Sequence, residues 1–180
     1  MSDPYDVNEL LGYMTPDEKE FVAQIMEDKG NTLWSPLPGP QTMAYESEAD
    51  IIGYGGAAGG GKTDLACGKA LTKHQITMIL RRESTQLTGI IDRFTSILGS
   101  RVGYNGQDKI WRLDGRQIEF GSVPHLGDET KYQGRPHDLL VFDEASNFLE
   151  KQVRFLLGWL RSADPNQKCQ ALMAFNPPGS

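Results

Sequence analysis

The stretch from Asp50 to Ala66, DIIGYGGAAGGGKTDLA, constrains the fold more than any other part of the sequence. It opens with a short, mainly apolar run at positions 51–54, which predicts a buried strand. Five glycines and two alanines then fill positions 55–61, so almost no side chain stands off the backbone. Lys62 and Thr63 follow, and the residues after them are typical of a helix. The segment therefore predicts a strand, a tight loop and a helix in immediate succession.

Positions 56–63 match the Walker A pattern G-x-x-x-x-G-K-[ST], which binds polyphosphates when it lies between a strand and a helix. Glycine lets backbone N–H groups converge on phosphate oxygens, and the helix N-terminus adds favourable partial charge. Lys62 is then expected to reach the β- and γ-phosphates, and the Thr63 hydroxyl to ligate Mg²⁺. The alternative is a flexible glycine linker. The predicted nucleotide-binding residues of this segment are Gly56, Ala57, Ala58, Gly59, Gly60, Gly61, Lys62, Thr63 and Asp64.

Length and composition limit the classes of protein to which this chain can belong. The 180 residues are enough for one domain with a proper core, and no apolar run is long enough to span a bilayer, so no membrane partner is predicted. A net charge of −6 argues against a wide basic surface for nucleic acid. This net charge does not exclude a ring or channel protein that contacts DNA through a few loops. Cys67 and Cys169 do not have the spacing of metal ligands.

The N-terminal part, residues 1–40, is predicted to be an arm and a helix that pack on the core. Thr15 has the features of an N-cap, with proline at the first helical position and Glu18 at the third. The proline-rich segment that follows ends at Gln41, whose amide could recognise adenine through N7 and the N6 amino group. Gln41 could equally be the polar start of the next helix.

Buried strands and helices alternate through the rest of the chain. Strands are predicted at 76–82, 139–142 and 171–175, and amphipathic helices at 84–98 and about 149–162. Two further strands flank Asp114-Gly115 and form a hairpin with a two-residue turn. This alternation predicts an α/β fold of three layers, with a mostly parallel central sheet covered by helices on both faces.

Polar side chains appear where three of these strands end. Asp143 and Glu144 follow the apolar run at 139–142, and such a carboxylate pair can support Mg²⁺ and polarise the attacking water. We assign the metal role to Asp143 and the catalytic role to Glu144. Asn176 ends the last strand and is expected to hydrogen-bond the attacking water or the γ-phosphate. Taken singly, each could be an ordinary strand end or turn.

Arg81 and Arg82 lie at the carboxyl end of the second strand, where ligands bind in open α/β sheets. They could contact the nucleotide or DNA, or they could be solvated surface arginines.

Three motifs together resemble the large terminase subunit of tailed bacteriophages in order and spacing. They are Tyr54 to Thr63, then Tyr132-Gln133-Gly134-Arg135 leading into Asp138 to Ala145, then Phe175-Asn176-Pro177-Pro178. The resemblance covers about residues 41–180 and the ATPase part of that family. It implies a RecA/ASCE-like P-loop ATPase domain over 41–180, incomplete at its C-terminal end, with ATP and Mg²⁺ as cofactors and without the family's nuclease domain or nuclease activity.

Lys62 and Glu144 are thus the first two predicted catalytic residues, and the resemblance implies a third, together with several partners. These are double-stranded DNA, a portal protein and a small terminase subunit, with a ring of usually five subunits in the host cytoplasm, transiently at the procapsid portal. Some members place an arginine finger before the glycine that precedes the acidic strand. Here Gln133 occupies that position, so Arg135 is the candidate, with Arg81 and Arg82 behind it. A RecA-like helicase, a transposition-type ATPase and a nucleotide-binding fragment without significant turnover are the alternatives.

Overall fold

Seven strands form one sheet: β1 (Ile51–Gly55), β2 (Ile76–Arg81), β3 (Tyr104–Asn105), β4 (Ile110–Leu113), β5 (Arg116–Ser122), β6 (Leu139–Asp143) and β7 (Gln170–Phe175). Their order across the sheet is β1-β7-β6-β2-β5-β4-β3. Neighbours from β1 to β5 are parallel, whereas β4 pairs antiparallel with both β5 and β3. The structure thus confirms the predicted sheet, mostly parallel with a hairpin at one side.

The computed structural model describes residues 14–20, 33–57 and 59–176. The chain divides into two units, Met1–Leu33 and Trp34–Ser180. In the first unit, residues 16–20 are helical. The Thr15 hydroxyl donates to the Glu18 carboxylate at 2.8 Å, and the Glu18 amide N–H donates to the Thr15 hydroxyl at 3.4 Å. These bonds confirm the predicted helix start, while the packing of residues 1–40 on the core stays a prediction.

Within the described residues from 33 onward, four α-helices accompany the sheet: α1 (Pro40–Glu46), α2 (Lys62–Thr72), α3 (Leu87–Leu98) and α4 (Glu150–Leu157). The prediction of a helix to about residue 162 was wrong for α4. Gly158 follows its last residue, and Leu160 forms a parallel bridge with His137, which requires extended backbone. In the part of the chain that the structure describes, no helix is long and apolar enough to cross a membrane.

The apolar residues of the central strands alternate between two faces of the sheet. Ile79, Val141 and Leu172 belong to one buried cluster, together with side chains of α2 and α3. Met78 and Phe142 belong to a second cluster on the opposite face, which includes α4. Strands buried on both faces read as nearly continuous apolar runs, as β2 and β6 do. Helices therefore cover both faces, and the three-layer prediction is confirmed.

The hairpin joins β4 and β5 through the predicted two-residue turn. Leu113 pairs with Arg116, and Gly115 has a φ of 67°. A left-handed conformation at this position is typical of the tight turns that match the strand twist, and glycine adopts it without steric cost.

Helix α2 packs closely on Trp34 at Gly68. A Cβ atom added to Gly68 would overlap the indole ring of Trp34, which is buried. We expect Gly68→Ala to destabilise the protein by about 1–3 kcal/mol through overpacking, although alanine favours helix over glycine. Gly89→Ala in α3 is the matched control, because nothing lies within 4 Å of a Cβ added there. Urea unfolding measures both, and equal stabilities for the two variants would contradict the close contact.

Lys69 is fully buried in the same helix, and its ammonium donates to the Tyr45 carbonyl at 3.2 Å. Burial, with a smaller contribution from the charge of Lys73, lowers the pKa of Lys69 to about 8. An unfolded lysine titrates near 10.4. Below pH 8 both states are protonated and folding carries the whole cost of burying the charge. Between pH 8 and about 10.4 the unfolded state binds more protons, so this group adds stability as pH rises.

We therefore expect Lys69→Met to stabilise the protein at pH 7 by about 1–3 kcal/mol relative to the natural sequence. The difference should shrink between pH 8 and 10, because the natural protein sheds its buried charge in that range. Urea unfolding at pH 7 and pH 9.5 measures it. The same substitution at the exposed Lys151 of α4 should show no such pH dependence. If the difference in unfolding free energy between Lys69→Met and the natural protein were constant with pH, it would contradict a lowered pKa at Lys69.

Candidate functional site

The carboxyl ends of β1, β6 and β7 meet at one edge of the sheet, because these strands are adjacent and parallel. A cleft of about 530 Å³ opens at this edge. Ligands of open α/β sheets bind at this type of position. Its lining residues are Gly59, Gly60, Gly61, Lys62, Thr63, Asp64, Arg81, Gln86, Gly89, Ile90, Arg93, Asp143, Glu144 and Asn176.

The glycine loop curls from the end of β1 to the start of α2 at Lys62. Gly59 and Gly61 have φ values of 83° and 70°, a region that residues with a Cβ rarely adopt. The Lys62 ammonium donates to the carbonyls of Gly56 and Ala57, both at 2.7 Å, which places its charge against the loop. The helix begins directly at the cleft, so its N-terminal N–H groups and partial positive charge face it. The strand, loop and helix predicted here are confirmed, and Ala58 lies outside the described residues.

Asp64, in the first turn of α2, accepts hydrogen bonds from three directions. Arg93 of α3 donates from both Nε and Nη2 to Asp64 Oδ1, the first at 2.7 Å. Trp34 Nε1 donates to Oδ2 at 3.1 Å, and Gln41 Nε2 lies 3.5 Å from the same oxygen. Asp64 lines the cleft as predicted, and its side chain also joins α2 to α3 and to the segment before β1.

Sequence reasoning missed the wall of the cleft that α3 provides. Gln86, which precedes α3, and Gly89, Ile90 and Arg93 within it line this wall, and Ile90 also belongs to the buried face of the helix. The available signal was a stripe of polar or small residues at 86, 89 and 93, three and four residues apart, beside the apolar stripe. Nothing in the sequence said that this stripe would face the glycine loop, because that depends on how α3 crosses the sheet.

The acidic pair lies at the end of β6. Asp143 is the last residue of the strand and is buried. Glu144 follows with φ 57° and ψ 51°, a left-handed conformation that is uncommon for a residue with a long side chain. Its carboxylate accepts from Asn147 Nδ2 at 3.2 Å. Backbone strain of this kind is concentrated at functional sites.

Arg81 connects the acidic pair to β2, the neighbouring strand. Its Nε and Nη2 donate to Asp143 Oδ2 at 2.9 and 2.6 Å, and its Nη1 donates to Glu144 Oε1 at 3.2 Å. Arg82 turns away and donates to the Asn147 carbonyl at 3.1 Å and to Gln152 Oε1 at 3.4 Å. Of the two arginines at this strand end, only Arg81 lines the cleft.

Asn176 follows β7, is exposed, and lines the same cleft. The backbone beside it is tied to the glycine loop, because the Gly56 N–H donates to the Phe175 carbonyl at 3.2 Å. A movement at the end of β7 can therefore be passed to the glycine loop through this hydrogen bond.

Gln41 does not lie where the adenine hypothesis requires it. Its side chain is buried, its Oε1 accepts from the Leu37 N–H at 2.5 Å, and its Nε2 donates to the Gly61 carbonyl at 3.0 Å. Both ends of the amide thus have partners within the protein, Nε2 in the glycine loop and Oε1 in the segment before α1, and Gln41 is not among the residues that line the cleft. Trp34 is likewise buried against α2 and is not positioned to stack on a base. A direct contact between Gln41 and adenine stays a prediction that this geometry does not favour.

Arg135 is also outside the cleft of its own chain. It forms an ion pair with Glu119 of β5, to which His137 Nε2 lies 3.4 Å away. Burial raises the pKa of the Glu119 carboxyl, but the adjacent His137 imidazole and the charge of Arg135 outweigh burial and lower it. The predicted catalytic role of Arg135 concerns a neighbouring subunit, and the geometry within one chain leaves that role a prediction.

The oxygen donors in the cleft fit Mg²⁺. Thr63, Asp143 and Glu144 line it together. Among the residues that the structure describes, His, Cys, Asp and Glu side chains form no cluster of three or more that could hold a metal. Mg²⁺ is usually bound by one or two carboxylates together with substrate phosphates and water, rather than by a protein cage. The donor set is therefore the kind that holds Mg²⁺ jointly with a polyphosphate.

Solved structures with a similar fold come from phage DNA-packaging proteins. The large terminase of bacteriophage HK97 matches with a TM-score of 0.58 and 13% identity, over 79% of this chain and 33% of the terminase. The large terminase of the thermophilic bacteriophage D6E in complex with ADP matches with a TM-score of 0.50 and 18% identity, over 81% and 36%. The N-terminal domain of the DNA packaging ATPase from bacteriophage phi29 matches with a TM-score of 0.51 and 16% identity, over 77% of each chain.

These matches show that the chain has the RecA-like fold of the N-terminal domains of large terminases and phage packaging ATPases, which confirms the predicted fold class. The chain spans about a third of the length of the large terminases it matches. A scan of the sequence against protein-family models finds no match, and a search of curated protein sequences finds none either.

Proposed function

We propose that the chain is the ATP-hydrolysing motor domain of a viral DNA-packaging terminase, which couples Mg-ATP hydrolysis to movement of double-stranded DNA into a procapsid. One observation carries the proposal. The glycine loop, the acidic pair and Asn176 are far apart in sequence, yet all line one cleft. The likeness to packaging proteins, one of them in complex with ADP, adds support at the level of the fold.

Binding of the triphosphate would rest on the loop and on Lys62. The backbone N–H groups at the start of α2 and the Lys62 ammonium present positive charge to phosphate oxygens. Thr63 and Asp143 would hold Mg²⁺, which neutralises charge on the β- and γ-phosphates. Asp64 would support the phosphate site indirectly, because its bonds to Arg93 and Trp34 fix the first turn of α2.

Hydrolysis would rest on Glu144. A carboxylate can accept the proton of the attacking water and orient its lone pair toward the γ-phosphorus. The left-handed backbone at Glu144 turns the chain out of β6 as soon as Asp143 ends the strand. The two neighbouring carboxylates consequently have separate tasks, one for the metal and one for the water.

Coupling would start at Asn176. An amide that hydrogen-bonds the γ-phosphate or the attacking water changes partners when phosphate is lost. Since β7 lies between β1 and β6, and its last carbonyl accepts from Gly56, such a change would act on both the loop and the acidic strand.

In the assembled motor, we place the chain in a homo-oligomeric ring, usually of five subunits. The ring would act in the host cytoplasm, transiently at the procapsid portal, with a small terminase subunit and double-stranded DNA as further partners. Arg135 is proposed to act on the nucleotide of a neighbouring subunit. To do so it must first leave Glu119, with which it pairs in its own chain.

The rate of ATP hydrolysis with different nucleic acids tests the proposed function. Double-stranded DNA together with portal protein should raise the rate well above that of the chain alone. Stimulation by single strands only would favour a helicase. Tight Mg-ATP binding with no hydrolysis under any condition would leave a nucleotide-binding module and contradict the motor.

A further inference from the structure

Arg81 is the cation that contacts both members of the acidic pair. It ends β2, which is hydrogen-bonded to β6, so its guanidinium and the Asp143 carboxylate come together across neighbouring strand ends. Two of its nitrogens bind Asp143 Oδ2 and the third binds Glu144 Oε1. The side chains of Arg81 and Asp143 are 17% and 4% exposed, so solvent screens this pair little.

These contacts use the same oxygens that the proposed function needs. A buried carboxylate must have a cationic or hydrogen-bonding partner, since an unpaired buried charge is strongly unfavourable. Arg81 supplies that partner to Asp143, and with Asn147 it also holds the Glu144 carboxylate. A divalent cation at Asp143 would therefore compete with the guanidinium for one carboxylate.

The other cleft arginine does not share this position. Arg93 pairs with Asp64 in the first turn of α2 and also donates a hydrogen bond to Ser96. Arg82 binds a backbone carbonyl and the Gln152 amide oxygen, neither of which is charged. The arrangement at Arg81 is thus specific to the acidic pair.

We propose that Arg81 is a positioning residue that acts as an exchangeable counter-ion. It neutralises Asp143 and Glu144, a divalent cation takes its place at Asp143, and the released guanidinium turns to the anionic phosphates in the same cleft. The proposal rests on the proposed Mg-nucleotide site. It implies that metal binds weakly alone and more tightly with nucleotide, because the displaced arginine then has a new anionic partner. By linkage the coupling is reciprocal.

Binding of Mn²⁺ to the folded chain, followed by electron paramagnetic resonance, tests the exchange without any hydrolysis. In the absence of nucleotide, Arg81→Gln should bind Mn²⁺ at least about tenfold more tightly than the natural sequence, because the charged competitor is gone. Addition of ADP should then tighten Mn²⁺ binding by less than it does in the natural chain. Arg82→Gln is the matched control, and its Mn²⁺ affinity should not change.

A static clamp predicts the opposite result. If Arg81 only holds Asp143 in place, Arg81→Gln should bind Mn²⁺ no more tightly than the natural chain, and that outcome would overturn the proposal.

A second experiment uses the natural chain and applies even if Arg81→Gln fails to fold. It follows the NMR signal of the Arg81 Nε–H. Mn²⁺ broadens that signal, so diamagnetic Mg²⁺ is added with ADP. Faster exchange of the Nε–H with water supports release from Asp143, and unchanged protection at saturating Mg²⁺ and ADP contradicts it. Failure of the motor proposal would be distinguishable. The chain would then not hydrolyse ATP, while Arg81→Gln would still raise the affinity for Mn²⁺.

Discussion

Lys62→Ala is expected to lower the affinity for ATP and ADP by at least about 100-fold, since it removes charge-assisted hydrogen bonds worth about 1.5–3 kcal/mol each. The Lys62 ammonium lies against the Gly56 and Ala57 carbonyls, at the start of the loop that faces the cleft. No described residue of α2 other than Lys62 brings an ammonium to this cleft. Isothermal titration with Mg-ADP measures the loss.

A control separates loss of the phosphate contact from a general effect on α2. Lys73 follows the C-terminal end of the same helix, and its ammonium lies over the Tyr45 ring, away from the glycine loop. Lys73→Ala should therefore bind Mg-ADP as the natural chain does. Unchanged affinity in a folded Lys62→Ala variant would remove the phosphate-loop assignment altogether.

Glu144→Gln is expected to bind Mg-ATP within about threefold of the natural affinity and to lose about 10²–10⁴ in hydrolysis rate, the usual contribution of a positioned general base. Glutamine keeps the shape of the side chain and an oxygen that can accept from Asn147 and Arg81. It cannot accept the proton of the attacking water. The left-handed backbone is the same for both residues, so the fold should not change.

Single-turnover hydrolysis, measured beside equilibrium binding of ATP, distinguishes these two effects. Glu150→Gln is the matched control, because Glu150 is exposed on α4 and pairs with Arg154. It should leave both binding and hydrolysis unchanged. If Glu144→Gln retained a tenth or more of the natural rate, Glu144 would not be the group that activates water.

The main site could be predicted from the sequence because its parts obey local rules. The loop at 56–63 is a contiguous pattern between a strand and a helix, and both elements formed where periodicity placed them. Asp143 ends one apolar strand and Asn176 follows the next, and the carboxyl ends of neighbouring parallel strands meet at one edge. Their convergence required only the topology of a parallel sheet.

The other assignments depended on contacts between distant segments. Whether the Gln41 amide would face a base or the loop is decided by the packing of Trp34 and α1 on α2, which periodicity does not reveal. Arg135 found a partner in Glu119, which lies on the preceding strand β5 and which no sequence pattern had linked to Arg135. Arg93 was missed because its role comes from the way α3 crosses the sheet. The end of α4 was misplaced because a bridge between Leu160 and His137 overrides helix propensity.

In the proposed function, this cleft binds ATP and hydrolyses it. Limiting ATP with Mg²⁺, incubated with the purified chain and double-stranded DNA and then quenched, gives the fate of the bound nucleotide directly. We expect the natural chain to convert bound ATP to ADP and phosphate, Glu144→Gln to retain it as ATP, and Lys62→Ala to retain no nucleotide. Recovery of the nucleotide from the natural chain as ATP alone, or equal conversion by all three proteins, would contradict it.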